Sequence, residues 1–242
     1  MNNLLYNEDN KIIVSGTDTN AIKNVIASEF SPVSISGLVG WYLPENWTGT
    51  QWTDASGAGN NATSYSGTIN YNASHNGTTV GAQRTFPVLY GNTSARINFP
   101  TAILPPTYTL IALTRYNGTT KGRILDGQNQ NWLSGHWNER SGVAYHSGWL
   151  TITLENLHGS NWVLGTDQNN LYRSKSEGKA WQQNTGGGTE GTGVTYTQLL
   201  IGGRSTEPSD WMCAELIVYN RALTAAEYNQ LEAYMQIKYA IY

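Results

Sequence analysis

Apolar residues in this chain recur in short alternating runs. From Gly37 onward these are Gly37–Leu43, Arg96–Phe99, Thr107–Tyr116, Arg123–Asp126, Leu150–Leu154, Trp162–Gly165, Leu199–Gly202 and Met212–Tyr219, separated by Gly, Asn and Ser clusters. Alternation predicts strands, and many short strands between turn residues predict a two-sheet antiparallel sandwich or jelly roll. In Thr107–Tyr116, Tyr108, Leu110 and Ala112 oppose Ile111 and Leu113. In Met212–Tyr219, Met212, Ala214, Leu216 and Val218 oppose Cys213, Ile217 and Tyr219. Apolar groups on both faces predict central strands covered on both sides.

Helical spacing appears in two places. Thr224-Ala-Ala-Glu227 is a capping box, and Tyr228, Leu231 and Met235 come after it as one apolar stripe, which predicts a short C-terminal helix. Near the N-terminus, Ile22, Val25, Ile26 and Phe30 give a weaker amphipathic piece over Thr19–Phe30, after a short predicted strand at Lys11–Ser15. The chain thus divides into an N-terminal arm, residues 1–35, and a β domain, residues 36–242. The arm is expected to pack on the domain or on a neighbouring subunit.

Composition narrows the function classes. Charged residues are 13% of the 242, about half the usual share. Gly (26) and Asn (25) make up much of the difference, and both favour turns. A net charge of −3 without a Lys/Arg run leaves no footprint for nucleic acid. No apolar run approaches the ~20 residues of a membrane-spanning helix. The opening MNNLLYNEDNKIIVSG lacks the basic start and long apolar core of a secretory signal, which predicts no export by that route. The single cysteine, Cys213, lies in the apolar run MCAELIVY and is expected to be a buried thiol.

The richest segment is Asn131–Trp149, NWLSGHWNERSGVAYHSGW. It reads as a loop dense in both Gly and indole. Gly allows close backbone approach to a ligand, indoles stack on sugar faces, and Asn, Arg and His donate to hydroxyls. His136, Trp137, Asn138, Arg140, Tyr145 and His146 are therefore candidates for a carbohydrate-binding or interface surface, with His136 expected on its exposed side. Trp132 and Trp149 are expected to anchor in the core, since Trp is highly buried on average.

Several chemistries find little support. Glycoside hydrolysis needs two carboxylates about 5–9.5 Å apart. No strand carries them at alternate positions; the nearest acidic pair is Glu207 and Asp210, and Glu155 stands alone. A lyase would need a base near working pH; His136, Arg140, Tyr145 and His146 are the right types at no diagnostic spacing. The Gly-rich stretch Thr185–Gly193 lacks the Lys-Ser/Thr of a phosphate loop and reads as a surface loop. Asn46, Asn61, Asn72, Asn76, Asn92 and Asn117 each begin an Asn-x-Ser/Thr sequon and are candidate glycosylation sites.

Two end motifs carry a family resemblance. GLVGWYLPENW followed by WTDASGAGNNAT resembles the start of laminin-G-like jelly-roll domains in the concanavalin A-like lectin/glucanase superfamily. AELIVYNRALTAAEYNQLEAYMQIKYAIY resembles the closing strand, N-R-x-L turn and short helix of such domains. The likeness runs from about Gly37 to Tyr239. Its middle, RYNGTTKGRILDGQNQNWLSGHW to WVLGTDQNNLYRS, resembles a subgroup found in large DNA viruses, phages and microbes.

The resemblance implies an all-β fold: a two-sheet antiparallel jelly-roll sandwich with one short C-terminal helix and an N-terminal arm. It also implies a curved glycan-accepting face. Because laminin-G-like domains often hold calcium between rim loops, it makes Asp126 and Asp167 candidate calcium ligands, although an Asx-turn is the commoner role for an Asp in such a loop. The expected function is a non-enzymatic carbohydrate-binding or adhesion module of a virion or cell surface. A purely structural capsid or fibre protein, assembled through residues 1–35, and a glycan lyase or hydrolase are the alternatives.

Overall fold

The structure, a computed structural model, describes residues 30–151, 158–185 and 196–242, together with the backbone of Leu5–Tyr6 and Ile12–Ile13. In chain order the strands are β1 (Leu5–Tyr6), β2 (Ile12–Ile13), β3 (Leu38–Trp47), β4 (Trp52–Asp54), β5 (Ser64–Ser66), β6 (Asn70–Asn76), β7 (Thr85–Gly91), β8 (Arg96–Asn98) and β9 (Thr109–Lys121). They continue as β10 (Leu125–Gly127), β11 (Trp132–Trp137), β12 (Arg140–His146), β13 (Val163–Gln168), β14 (Leu171–Lys175), β15 (Gln182–Thr185), β16 (Leu199–Ile201) and β17 (Ser209–Tyr219), before helix α1 (Ala225–Tyr239).

Two antiparallel sheets dominate. The six-stranded sheet runs β12-β11-β10-β16-β8-β5. The nine-stranded sheet runs β15-β14-β13-β9-β17-β3-β4, with β7 pairing to β17 and β6 to β7. Inward side chains of both sheets form the first core, among them Tyr42, Trp52, Ile97, Leu110, Leu125, Trp132, Leu199, Trp211 and Leu216. A second core lies on the other face of the nine-stranded sheet. There Ile111, Leu113, Leu164, Met212 and Ile217 meet Leu231, Tyr234, Met235 and Tyr239 of α1. The result is three layers: sheet, sheet, helix.

β9 and β17 are the central strands covered on both sides that their patterns predict. The alternation in β17 is corrected in one respect. The register with β9 shifts between Cys213 and Glu215, a β-bulge. Parity therefore reverses: Cys213, Leu216 and Val218 share the inter-sheet core, while Met212, Ala214, Ile217 and Tyr219 face the helix. A bulge opposes two residues to one and re-aims the side chains beyond it. Here it turns the Glu215 carboxylate under α1, where Trp41 Nε1 (2.6 Å), Lys238 Nζ (2.7 Å), Tyr239 OH (2.7 Å) and Tyr234 OH (3.1 Å) all donate to it. Cys213 is fully buried, as expected.

The capping box forms as predicted: Thr224 Oγ1 accepts from Glu227 N–H at 3.4 Å, and Glu227 Oε2 accepts from Thr224 N–H at 2.8 Å. A second buried carboxylate, Glu232, accepts from Arg173 at 2.8 Å and Thr166 at 2.9 Å, joining helix to sheet. In the arm, Leu5 pairs with Ile13 and Tyr6 with Ile12, so the predicted strand at Lys11–Ser15 is present over Ile12–Ile13. The amphipathic piece over residues 19–29 lies outside the described residues. Phe30 packs 5.7 Å from Tyr234, and Pro32 O accepts from Tyr219 OH at 2.7 Å. No strand forms at Leu150 or Thr151, where one was predicted from Leu150–Leu154, and residues 152–157 and 186–195 lie outside the described residues.

Candidate functional site

Asn131–Trp149 is a hairpin rather than a loop. β11 and β12 pair from Trp132↔His146 to Trp137↔Arg140. The turn is made by Asn138 (φ 45°) and Glu139 (φ 67°). Both lie in the left-handed region that a two-residue hairpin turn requires. Asn tolerates it locally, and Glu139 is tied down by its N–H to Lys121 O at 2.8 Å. The apolar alternation is hidden because Gly142 (φ 82°) is skipped in the pairing, with Gly135↔Val143 succeeded by His136↔Ser141.

Alternation divides the candidate residues between two sides. Trp132, His136 and His146 face into the sandwich and are buried. His136 is thus corrected from the exposed side to the interior, because its position in β11 has the parity of Trp132. Burial, helped by His158 and Arg115, pushes its imidazole down to about 3. His146 stacks on Trp132 at 5.6 Å, and its two ring nitrogens lie 3.1 Å from an Asp167 oxygen and 3.0 Å from Asn169 O. Neither histidine reaches solvent.

Trp137, Arg140, Tyr145 and Trp149 take the other side, with Asn138 exposed at the turn. The Trp137 and Trp149 rings lie 5.0 Å apart, Tyr145 lies 5.1 Å from Trp149, and the Arg140 guanidinium lies 5.3 Å from the Trp137 ring. Trp149 is half-buried in this cluster, not in the core as expected; Trp132 is the core residue.

A residue given little weight in the sequence completes the cluster. Glu207 Oε1 accepts from Trp137 Nε1 at 2.7 Å and fixes that indole. From there an ionic chain crosses the sheet. Glu207 pairs with Arg123 (2.7 Å), Arg123 with Asp126 (3.1 Å), and Asp126 with Arg204 (2.8 Å). Asp210, the other member of the acidic pair, instead accepts from Thr120 N–H at 2.9 Å. Beyond Arg204, an open groove of about 350 Å³ is lined by Ser66, Arg96, Asn98, Gln128, Leu200, Arg204 and Ser205. These residues come from β5, β8, β16 and two loops, and no local motif links them.

The calcium candidates do not come together. Asp126 lies on the outer side of the six-stranded sheet, where Arg123 and Arg204 occupy its oxygens. Asp167 belongs to the nine-stranded sheet and accepts from Tyr108 OH at 2.8 Å. Among the described residues no group of three His, Cys, Asp or Glu is placed to hold a metal. Of the sequon asparagines, Asn72, Asn76 and Asn92 are exposed and accept from the N–H two residues on, as Asx-turns. Asn61 accepts from Asp54 N–H at 2.9 Å, and Asn46 and Asn117 are half-buried.

The fold has counterparts among solved structures. Domain 4 of AbnA, a GH43 extracellular arabinanase from Geobacillus stearothermophilus solved with arabinotriose, superposes with a TM-score of 0.52 at 15% identity, covering 80% of this chain and 97% of that one. Trypanosoma rangeli sialidase with a difluorosialic acid gives 0.51 at 15% identity over 88% of this chain. The same sialidase with sialic acid gives 0.51 at 16% over 97%. The chain spans 36% and 44% of the sialidase's length in these two comparisons. The sequence matches no family model and none of the curated proteins. The shared feature is the β-sandwich. Among the described residues no helix is long and apolar enough to cross a membrane.

Proposed function

We propose that this protein is a non-enzymatic carbohydrate-binding module of the laminin-G-like, concanavalin A-like kind, displayed on an extracellular or virion surface. One observation carries the reading: Trp137, Tyr145 and Trp149 form a half-exposed aromatic cluster on the outer face of the six-stranded sheet. Half-exposed rings present apolar area at low entropic cost, and neighbouring amide and guanidinium groups supply hydrogen bonds. Asn138 and Arg140 stand at the cluster's edge as such donors. The arabinanase domain was solved with an oligosaccharide bound, which supports a glycan as ligand class.

A hydrolase reading has less to stand on. Asp126 and Glu207 lie on this face, and both are held by Arg123. That is the arrangement of a structural network rather than of a free acid and base. The direct test is a glycan array, then calorimetry on the hits, with arabinan oligosaccharides included. Binding that Trp137→Ala weakens by about 30-fold supports the module. Retention of every glycan by Trp137→Ala, or release of reducing sugar during incubation, overturns it.

A further inference from the structure

The groove beyond Arg204 differs from the aromatic cluster in its chemistry. It lies on the same outer face, because Ile97, Leu199 and Ile201 turn inward to the inter-sheet core while Arg96, Asn98 and Leu200 alternate outward. Three guanidiniums serve this half of the face: Arg96, Arg123 and Arg204. Two carboxylates answer them, Asp126 and Glu207, and both are taken by Arg123 and Arg204. Arg96 is left as the excess positive charge, with no carboxylate partner among the described ion pairs.

Its geometry is prepared for an anion. Arg96 Nε donates to Gly203 O at 2.6 Å, which fixes the guanidinium plane. No described hydrogen bond takes its terminal nitrogens. A planar fork held in place with both terminal nitrogens available matches a carboxylate bidentately and loses little freedom on binding. Arg204 forms a rigid wall, donating to Asp126, Gly127 O and Gln130 O at 2.8–2.9 Å. Asn98 and Ser66 supply neutral polar groups, and the buried Leu200 forms the floor. A volume of about 350 Å³ falls within the usual range for small-ligand sites.

We propose that this groove binds a carboxylate-bearing sugar unit of an acidic glycan, with Arg96 as the residue that recognises the carboxylate. The proposal rests on the reading of this face as glycan-binding and adds a second subsite with its own selectivity. A glycan chain that spans both would stack on Trp137 and present its acidic unit to Arg96.

The test uses the full chain in calorimetry with three probes: an oligogalacturonate, its neutral methyl ester, and 3′-sialyllactose. The expected result is that an acidic probe binds at least about tenfold tighter than the ester, a gap of about 1.4 kcal/mol. Arg96→Gln should remove that preference. Arg96→Lys, which keeps the charge and loses the fork, should keep only part of it. Asn98→Asp places a negative charge in the groove without touching Gly203 and should also remove the preference, so a folding defect in one variant leaves the test intact. Trp137→Ala should weaken acid and ester alike and keep their ratio. Equal affinity for acid and ester, a preference that survives Arg96→Gln, or binding of a sulfated oligosaccharide in place of both acids overturns the groove proposal while leaving the aromatic cluster standing. Failure of every glycan, neutral ones included, overturns both.

Discussion

The two outer faces of the sandwich are built from the same alternation and end differently. The nine-stranded sheet turns Ile111, Leu113, Met212 and Ile217 outward, and α1 covers them. The carboxylates at this junction, Glu215 of β17 and Glu232 of α1, are buried and answered. The six-stranded sheet turns out charges, amides and half-exposed rings beside the buried Leu133, Val143 and Leu200, and among the described residues no helix lies over it. A covered face commits its polar groups to the protein, whereas an open one keeps some for something else. Trp137, Arg96 and Asn98 are on the open face. A perturbation that damages one face and spares the other separates the two.

Glu215→Ala should have the largest effect. It removes the acceptor shared by Trp41 Nε1, Lys238 and the hydroxyl of Tyr234 beneath α1, while the Tyr239 hydroxyl keeps Ala214 O. Lys238 is partly exposed and regains water, so the cost comes from the indole and hydroxyl donors left unpaired, at about 1–3 kcal/mol each and about 3–5 kcal/mol together, which in a chain of this size is a Tm fall of about 10 °C. Calorimetric unfolding measures it. Glycan affinity measured below the new Tm should be unchanged. If affinity falls with stability, the two faces are coupled and the contrast fails.

The next effect is acid destabilisation from the sandwich interior. Both ring nitrogens of His158 meet hydroxyls, Ser176 at 2.9 Å and Ser174 at 3.0 Å. Burial first, then Lys179 and Lys175, depress its imidazole from 6.5 to about 4. The folded state therefore takes up this proton later than the unfolded chain. Stability is fully present above pH 6.5 and falls as pH drops from 6.5 towards 4, by roughly 3 kcal/mol for this group. His136 acts in the same direction, its loss continuing towards about pH 3. Denaturant melts across this range check the slope. In His158→Gln the dependence should flatten between pH 6.5 and 4, whatever the variant's absolute stability. An equally steep slope would assign the loss to other groups.

These residues also mark how far the sequence could be read. Long apolar runs were legible: β9, β17 and α1 sit close to where periodicity places them, and Thr224 caps as its spacing demands. The polar strands were not. Ser64–Ser66 is wholly exposed and Asn70–Asn76 nearly so, so neither has the alternation that announces a strand. They exist because partners present a ladder to them. The hairpin over Trp132–His146 carries no such signal, because Gly142 breaks its parity and the turn is Asn-Glu rather than Asn-Gly. Of the candidate surface, the local part (Trp137, Asn138, Arg140, Tyr145) was legible from one segment. Glu207, Arg96 and Arg204 were not, since they are brought together only by strand order, through pairings such as Asn98↔Leu200↔Asp126.

On the open face, Trp137→Ala should weaken glycan binding by about 30-fold, some 2 kcal/mol, the size of a loss at an aromatic hot spot. Because the ring is only half-buried, stability should change far less than in Glu215→Ala. Isothermal titration and thermal melts on one sample separate the two. Loss of fold in place of affinity would make Trp137 a core residue and remove it from the binding surface.

Glu207→Gln probes the same indole at second hand and should do least. The carboxylate holds Trp137 through one hydrogen bond of 2.7 Å and is itself partly exposed. A glutamine can still accept from the indole N–H, so the ring keeps a partner while Arg123 loses an anionic one. The expected loss in glycan affinity is about threefold to fivefold, near 1 kcal/mol. Tryptophan fluorescence offers a readout independent of affinity, since a loosened indole is more accessible to an added quencher. A variant with unchanged quenching and unchanged affinity would show that Arg140 and Trp149 suffice to hold the ring. The open face would then be organised by its aromatic cluster alone, with the ionic chain from Glu207 to Arg204 serving the groove and not the platform.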